Sequence, residues 1–109
     1  MVSNKKQALA IAMQTRTALE QLYGERLRGV YLYGSAARDQ LDENSDIDIA
    51  IILDEIPDRF EEHERTSKLG SQISLDANTL VSFMFVPEAD YQQGRYAVYR
   101  AIKREGIAV

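Results

Sequence analysis

An α/β (α+β) domain, with a small mixed β-sheet backed by helices, is the fold class the sequence predicts. Three observations carry it. Short β-branched and aromatic runs recur at Val30–Tyr33, Ala50–Leu53 and Thr79–Val86, as strands would. Apolar residues at helical spacing precede the first run and follow the last. A chain of 109 residues has room for one core, hence one domain over residues 1–109. The order helix, strand, short helix, strand, helix, strand, helix gives two layers rather than a bundle or an all-β barrel.

The first helix is expected over Ser3 to Tyr23, with Ala8, Ile11, Ala12, Thr15, Leu19 and Leu22 on its buried stripe. Gly24 ends it as a C-terminal cap. Val30–Tyr33 is the first strand, and Gly34-Ser35 breaks it. Ser35 is a suitable N-cap for a short helix through Ala36, Ala37 and Arg38. Asp42 to Ser45 form a polar turn, and Asp46 to Leu53 the second strand. A helix then runs from about Asp58 to about Ser74 on a thin stripe of Phe60, Leu69 and Ile73. Its Glu61, Glu62 and Glu64 read as a solvated acidic face, and His63 as a solvated surface residue. Leu75 to Asn78 is a polar break. Thr79–Val86 is apolar on both sides, the pattern of a strand covered on both faces. A last helix starts at Pro87, carries Tyr91, Arg95, Val98, Tyr99 and Ile102, and stops at Gly106. Its tyrosines read as packing residues with exposed hydroxyls. Ile107 to Val109 can add a short terminal strand.

The stretch from Val30 to Leu53 holds the chemistry. Gly34, without a Cβ, lets backbone approach a ligand closely. The N–H groups and positive dipole end of a helix after it favour a phosphate. Asp46 and Asp48 stand two apart on a strand, so both point to one face, with Cα atoms roughly 6.5–7 Å apart. Carboxylates so placed suit Mg²⁺, a hard cation usually shared with substrate phosphates. Together these describe a nucleoside triphosphate site.

Gly34-Ser35-x-x-Arg38 followed by Ser45-Asp46-x-Asp48 resembles the signature of the polymerase-beta-like nucleotidyltransferases. Chain size and the early position of the motif are similar to the minimal nucleotidyltransferases of prokaryotes. The resemblance implies the nucleotidyltransferase fold and transfer of a nucleoside monophosphate, AMP from ATP, to a hydroxyl. Gly34 and Ser35 would hold the triphosphate, and Asp46 and Asp48 would be the catalytic, Mg²⁺-binding pair. Arg38 would bind phosphate, or else pair with Asp42 or Glu43. The sequence departs from the family twice. Asp39 stands where glycine is frequent, a substitution that left-handed backbone tolerates. The third carboxylate of active members is missing from Thr79–Val86; Ser82 is the only polar residue inside that run, and Asp76 and Glu88 flank it.

Composition narrows the acceptor. A net charge of −4 with no basic stripe disfavours nucleic acid. The chain has no cysteine, no signal peptide or lipidation motif and no bilayer-length apolar run, which fits a cytoplasmic protein without a membrane role. By resemblance, the partner is a helical protein of the HEPN type, with this chain as the antitoxin of a toxin–antitoxin pair. A two-sided apolar strand in so small a domain predicts a homodimer or a hetero-oligomer. The intact Asp46 and Asp48 favour an enzyme. The missing third carboxylate favours a nucleotidyltransferase-like binding module that neutralises its partner by contact.

Overall fold

A computed structural model of the protein describes residues 4–42 and 45–109. The expected start of the first helix at Ser3, and Glu43 and Asn44 of the polar turn, lie outside the described residues.

Helix α1 spans Lys5–Tyr23, with the Asn4 side chain accepting from the Gln7 N–H as its cap. Ala8, Ala12, Thr15, Leu19 and Tyr23 are buried. Leu22, expected on the stripe, is exposed because the last turn directs Tyr23 inward. Strand β1 (Leu27–Tyr33) begins ahead of Val30, since Leu27 already pairs with Leu53. Strand β2 (Ile47–Leu53) lies antiparallel to β1. Helix α2 (Arg59–Ala77) carries the chain across the sheet to β3 (Val81–Pro87), parallel to β2. It runs past Ser74 because Asn78 closes it in left-handed conformation, φ 53°. Ile107–Ala108 forms β4 against β1, giving a mixed sheet in the order β3-β2-β1-β4.

Alternation along β2 divides the interior. Ile47, Ile49, Ile51 and Leu53 face α1 and α2 in the main core, with Leu19, Leu32, Ile73 and Phe85. Ala50 and Ile52 face the other way, against Val86, Tyr99 and Ile102. That second layer is thin. The single helix expected from Pro87 is two, α3 (Glu88–Gln93) and α4 (Ala97–Glu105), because Gly94 adopts φ +63° and closes the first of them. Tyr99 and Ile102 of α4 are buried, whereas Val98 and Arg95 are exposed. Tyr91 instead stacks on Tyr31, ring centroids 5.4 Å apart.

Two expectations fail here for one reason, the position of β2. The central place in the sheet goes to β2, so the two-sided apolar strand β3 is an edge strand, and its Phe83 and Met84 are only half-buried. Glu62, read as solvated, is 3% exposed, because α2 lies against the α1–β1 corner at the far end of β2. There it accepts from the Tyr23 hydroxyl at 2.9 Å and from Arg26 at 2.9 Å. Burial and Glu62 together push the Tyr23 phenol well above its ordinary range. His63 is exposed as expected, its ring edge-on to Phe85. Among the described residues no helix is long and apolar enough to cross a membrane.

Candidate functional site

The end of β1 and the start of β2 meet at one corner of the sheet. Gly34 leaves β1 at φ +73° and opens a single 3-10 turn over Gly34–Ala36. Ala36 and Ala37 are buried and fix that turn to the core. The expected helix through Arg38 is therefore one turn only, and Ser35 makes no capping bond; Tyr33 holds the cap position. A turn this short has little macrodipole, so any attraction for phosphate comes from its own N–H groups. The loop folds back through Gln40 N–H to Ser35 O at 2.9 Å.

Asp39 sits at φ +56°, the left-handed conformation expected of it. Its carboxylate accepts the Lys5 N–H at 3.1 Å. The charge that departs from the family pattern is thus turned to the start of α1. Arg38 is exposed, and its ion pair is with Glu105 at the end of α4, 3.3 Å away. Of the two turn carboxylates named for it above, Asp42 accepts from the Ser45 hydroxyl at 3.3 Å, and Glu43 lies outside the described residues.

Asp46 is exposed just ahead of β2, and Asp48 is half-buried within it. Tyr33 pairs with Asp48, and Asp48 with Ser82, so three strands present a row Tyr33–Asp48–Ser82 on one face. Burial, then the Asp46 carboxylate, pushes the Asp48 carboxyl above its usual range. Burial and Asp48 push the Tyr33 phenol up to about 12. Sequence reasoning missed Tyr33, although its place immediately before Gly34 fixes it opposite the start of β2.

Gly34 is bound to Asp48 by contact. A Cβ at position 34 would lie 2.6 Å from Asp48 Oδ2. The carboxylate thus disfavours a side chain here in addition to the backbone angle. We predict that Gly34→Ala destabilises the chain by about 1–3 kcal/mol from left-handed strain, plus a further cost that disappears when Asp48 is also alanine. A double-mutant cycle on thermal stability measures that coupling; purely additive costs would mean the two residues do not touch.

The raised pKa of Asp48 has a stability consequence. The folded chain binds a proton at Asp48 more readily than the unfolded chain does, so stability falls as pH rises through the carboxylate range. At neutral pH an ionised Asp48 opposes folding. Asp48→Asn should therefore raise the melting temperature at pH 7. The gain should fade as the pH falls and the wild-type carboxyl takes up its proton. Melting curves at neutral and at acid pH decide it, and a lower melting temperature for the variant at pH 7 would refute it.

The donor set limits what cation fits. Among the described residues no three His, Cys, Asp or Glu side chains gather into a metal site. Ser82 occupies the third place in the row. Asp76 lies on α2 and accepts from Gln72, and Glu88 pairs with Arg28. Two carboxylates on one side suit a cation that arrives with its own phosphate ligands.

Comparison with known proteins agrees with the geometry. Residues 17–102 match the model of the family described as "Polymerase beta, Nucleotidyltransferase". The chain is 31% identical over 74 residues to a candidate protein adenylyltransferase, MJ0141 of Methanocaldococcus jannaschii, a match covering 68% of this chain and 74% of that one. Its fold is similar to a crystal structure of a toxin-antitoxin with AMP-PNP, at TM-score 0.62 and 24% identity, over 87% of this chain and 69% of that one. A mutant of the toxin-antitoxin MntA-HpeT is similar at TM-score 0.61 and 22% identity, over 89% and 70% of the two chains.

Proposed function

For this chain, which belongs to the polymerase beta nucleotidyltransferase family and is a nucleotidyltransferase, we propose transfer of AMP from ATP to a hydroxyl of a protein partner. The observation that carries the reading is the packing of Gly34 against Asp48, beside the exposed Asp46, at the single turn Gly34–Ala36. The relative named as a protein adenylyltransferase supports both the nucleotide and the class of acceptor. The neighbour containing AMP-PNP supports ATP. The partner we propose is a HEPN-type helical protein, with this chain as the antitoxin of the pair, acting in the cytoplasm as a single domain.

In this reading the turn N–H groups from Gly34 to Ala36 hold the triphosphate, and Ser35 adds a hydroxyl contact. Arg38 leaves Glu105 for phosphate, an exchange that an exposed ion pair permits at little cost. Asp46 and Asp48 hold Mg²⁺, which would supply charge neutralisation along the triphosphate. The acceptor oxygen forms a bond to the α-phosphorus, the bond from that phosphorus to the bridging oxygen breaks, and pyrophosphate leaves. The acceptor's proton passes to water. Most of the rate must come from holding acceptor and phosphorus in line.

A second reading, a binding module with impaired catalysis, draws on Ser82. With a serine beside Asp48, no third carboxylate joins the pair among the described residues. We therefore predict slow transfer to small free alcohols and phenols by the wild type, and a gain of about tenfold or more for Ser82→Asp. The test is mass spectrometry of acceptor and candidate partner after incubation with ATP and Mg²⁺. Adenylylated partner establishes the enzyme. Tight partner binding with no adenylylation by either protein puts the binding module ahead.

A further inference from the structure

The turn at Gly34–Ala36 has no long helix behind it. It is a single 3-10 turn, and no side chain caps it. Its N–H groups keep a fixed direction only if the loop that follows is itself fixed. That loop has an apolar anchor at each end: Ala36 and Ala37 are buried, and Leu41 packs against the main core. Between the anchors Arg38, Asp39 and Gln40 are exposed. The backbone reverses at this apex, with Asp39 N–H donating to Ala36 O at 3.2 Å and Gln40 N–H to Ser35 O at 2.9 Å. Two side chains tie the apex to the rest of the fold, in different directions. Arg38 reaches Glu105 at the end of α4. Asp39 reaches the Lys5 N–H, the first of α1. A first-turn N–H has no carbonyl partner within its own helix, and the positive end of a 19-residue helix strengthens its bond to a carboxylate.

We propose that Asp39 is a positioning residue, a brace that holds the turn Gly34–Ala36 in its triphosphate-binding shape by anchoring the loop to α1. This rests on the nucleotide site of the reading above and adds to it what keeps that site formed before ATP arrives. Asp39 itself touches no nucleotide. Of the two ties, that of Arg38 is given up when its guanidinium turns to phosphate, so the Asp39 tie is the one that outlasts binding. A glycine at position 39 would adopt φ +56° without strain, but it has no side chain to reach α1. The nucleotide would then have to order the loop, and that ordering is subtracted from affinity. The Asp39 charge is directed to the Lys5 N–H, so an acidic residue is compatible with an anion site close by.

The test compares three variants of the whole chain. Asp39→Gly keeps the left-handed backbone and removes the brace. Asp39→Asn keeps both the backbone and an acceptor oxygen. Asn4→Ala removes the other side-chain bond at the start of α1, to the Gln7 N–H, and leaves the loop alone. By calorimetry, Asp39→Gly should weaken Mg·ATP binding by about three- to tenfold, the range expected for ordering a short loop on binding. Asn4→Ala should match wild type, and Asp39→Asn should lie closer to wild type than Asp39→Gly does. Without nucleotide, amide exchange at Gln40, whose N–H closes the loop on Ser35 O, should quicken by about fivefold or more in Asp39→Gly and not in Asn4→Ala. Unchanged affinity in Asp39→Gly overturns the proposal. An equal loss in Asp39→Gly and Asn4→Ala does so too, since the stability of α1 would then be the whole effect. Tighter binding by both Asp39→Gly and Asp39→Asn also overturns it, because the carboxylate would then act only as a repelling charge. So does unchanged exchange at Gln40. A wild type that fails to bind Mg·ATP removes the nucleotide reading, while exchange at Gln40 still decides the brace.

Discussion

Asp46→Asn combined with Asp48→Asn is expected to weaken Mg²⁺-dependent ATP binding by at least about 100-fold, or roughly 2.7 kcal/mol, while leaving the fold intact. Asp46 is exposed and Asp48 half-buried at the start of β2, and neither side chain supports the core. Both asparagines keep the shape and remove the charge that would hold the cation. ATP binding measured without a divalent cation should change much less, since the turn from Gly34 to Ala36 is untouched. Calorimetry with and without Mg²⁺ separates the two contributions. Equal Mg·ATP affinity in wild type and double variant would remove the metal assignment. Because an ionised Asp48 opposes folding, the double variant should also melt no lower than wild type.

The second large effect is on stability and lies at the other end of β2. Glu62→Ala should cost roughly 3 kcal/mol, toward the low end for breaking a buried ion pair, because Arg26 is partly solvated. Glu62 binds Tyr23 of α1, Arg26 ahead of β1 and Arg65 of its own helix, at 2.9, 2.9 and 3.3 Å. Arg26 in turn reaches Asp54, just past β2, at 3.2 Å. Removing the carboxylate leaves the Tyr23 hydroxyl buried without its acceptor and Arg26 with one carboxylate fewer. Denaturant unfolding should show the loss with an unchanged m-value. Glu61→Ala, which removes an exposed partner of Arg65, should stay within about 0.5 kcal/mol. A Glu62→Ala protein as stable as Glu61→Ala would mean the cluster is solvated after all. Mg·ATP affinity should be unaffected, since the cluster is a strand's length from Asp48.

Much of this architecture was legible because it depends on periodicity. The stripe of α1, the strands around Gly34 and the alternation from Asp46 through Ile49 are local patterns, and the folded chain keeps them. Ser82 stood out as the one polar residue inside Thr79–Val86, but its pairing with Asp48 is a register that only the folded sheet supplies. What stayed hidden depends on neighbours far along the chain. Nothing local marks Glu62 as different from Glu61, because its burial is decided by Tyr23 and Arg26. An apolar run such as β3 reads alike at the centre and at the edge of a sheet; only the competing claim of β2 decides. Gly94 was visible and is the signal that divides α3 from α4. Arg38 has several carboxylates within reach in sequence, and its pairing with Glu105 requires α4 to be in place.

The contact between Gly34 and Asp48 also constrains how this chain can decay over generations. A side chain at position 34 would have to push aside the Asp48 carboxylate, whose Oδ2 stands 2.6 Å from where its Cβ would lie. Once Asp48 has shrunk, that obstacle is gone and only the backbone angle resists. Loss of the site is therefore a path with a direction: Asp48 can go first with Gly34 retained, whereas the opposite order passes through an unstable intermediate. Descendants that have abandoned catalysis and kept only partner binding should accordingly be found with glycine at 34 and a small residue at 48 far more often than the reverse.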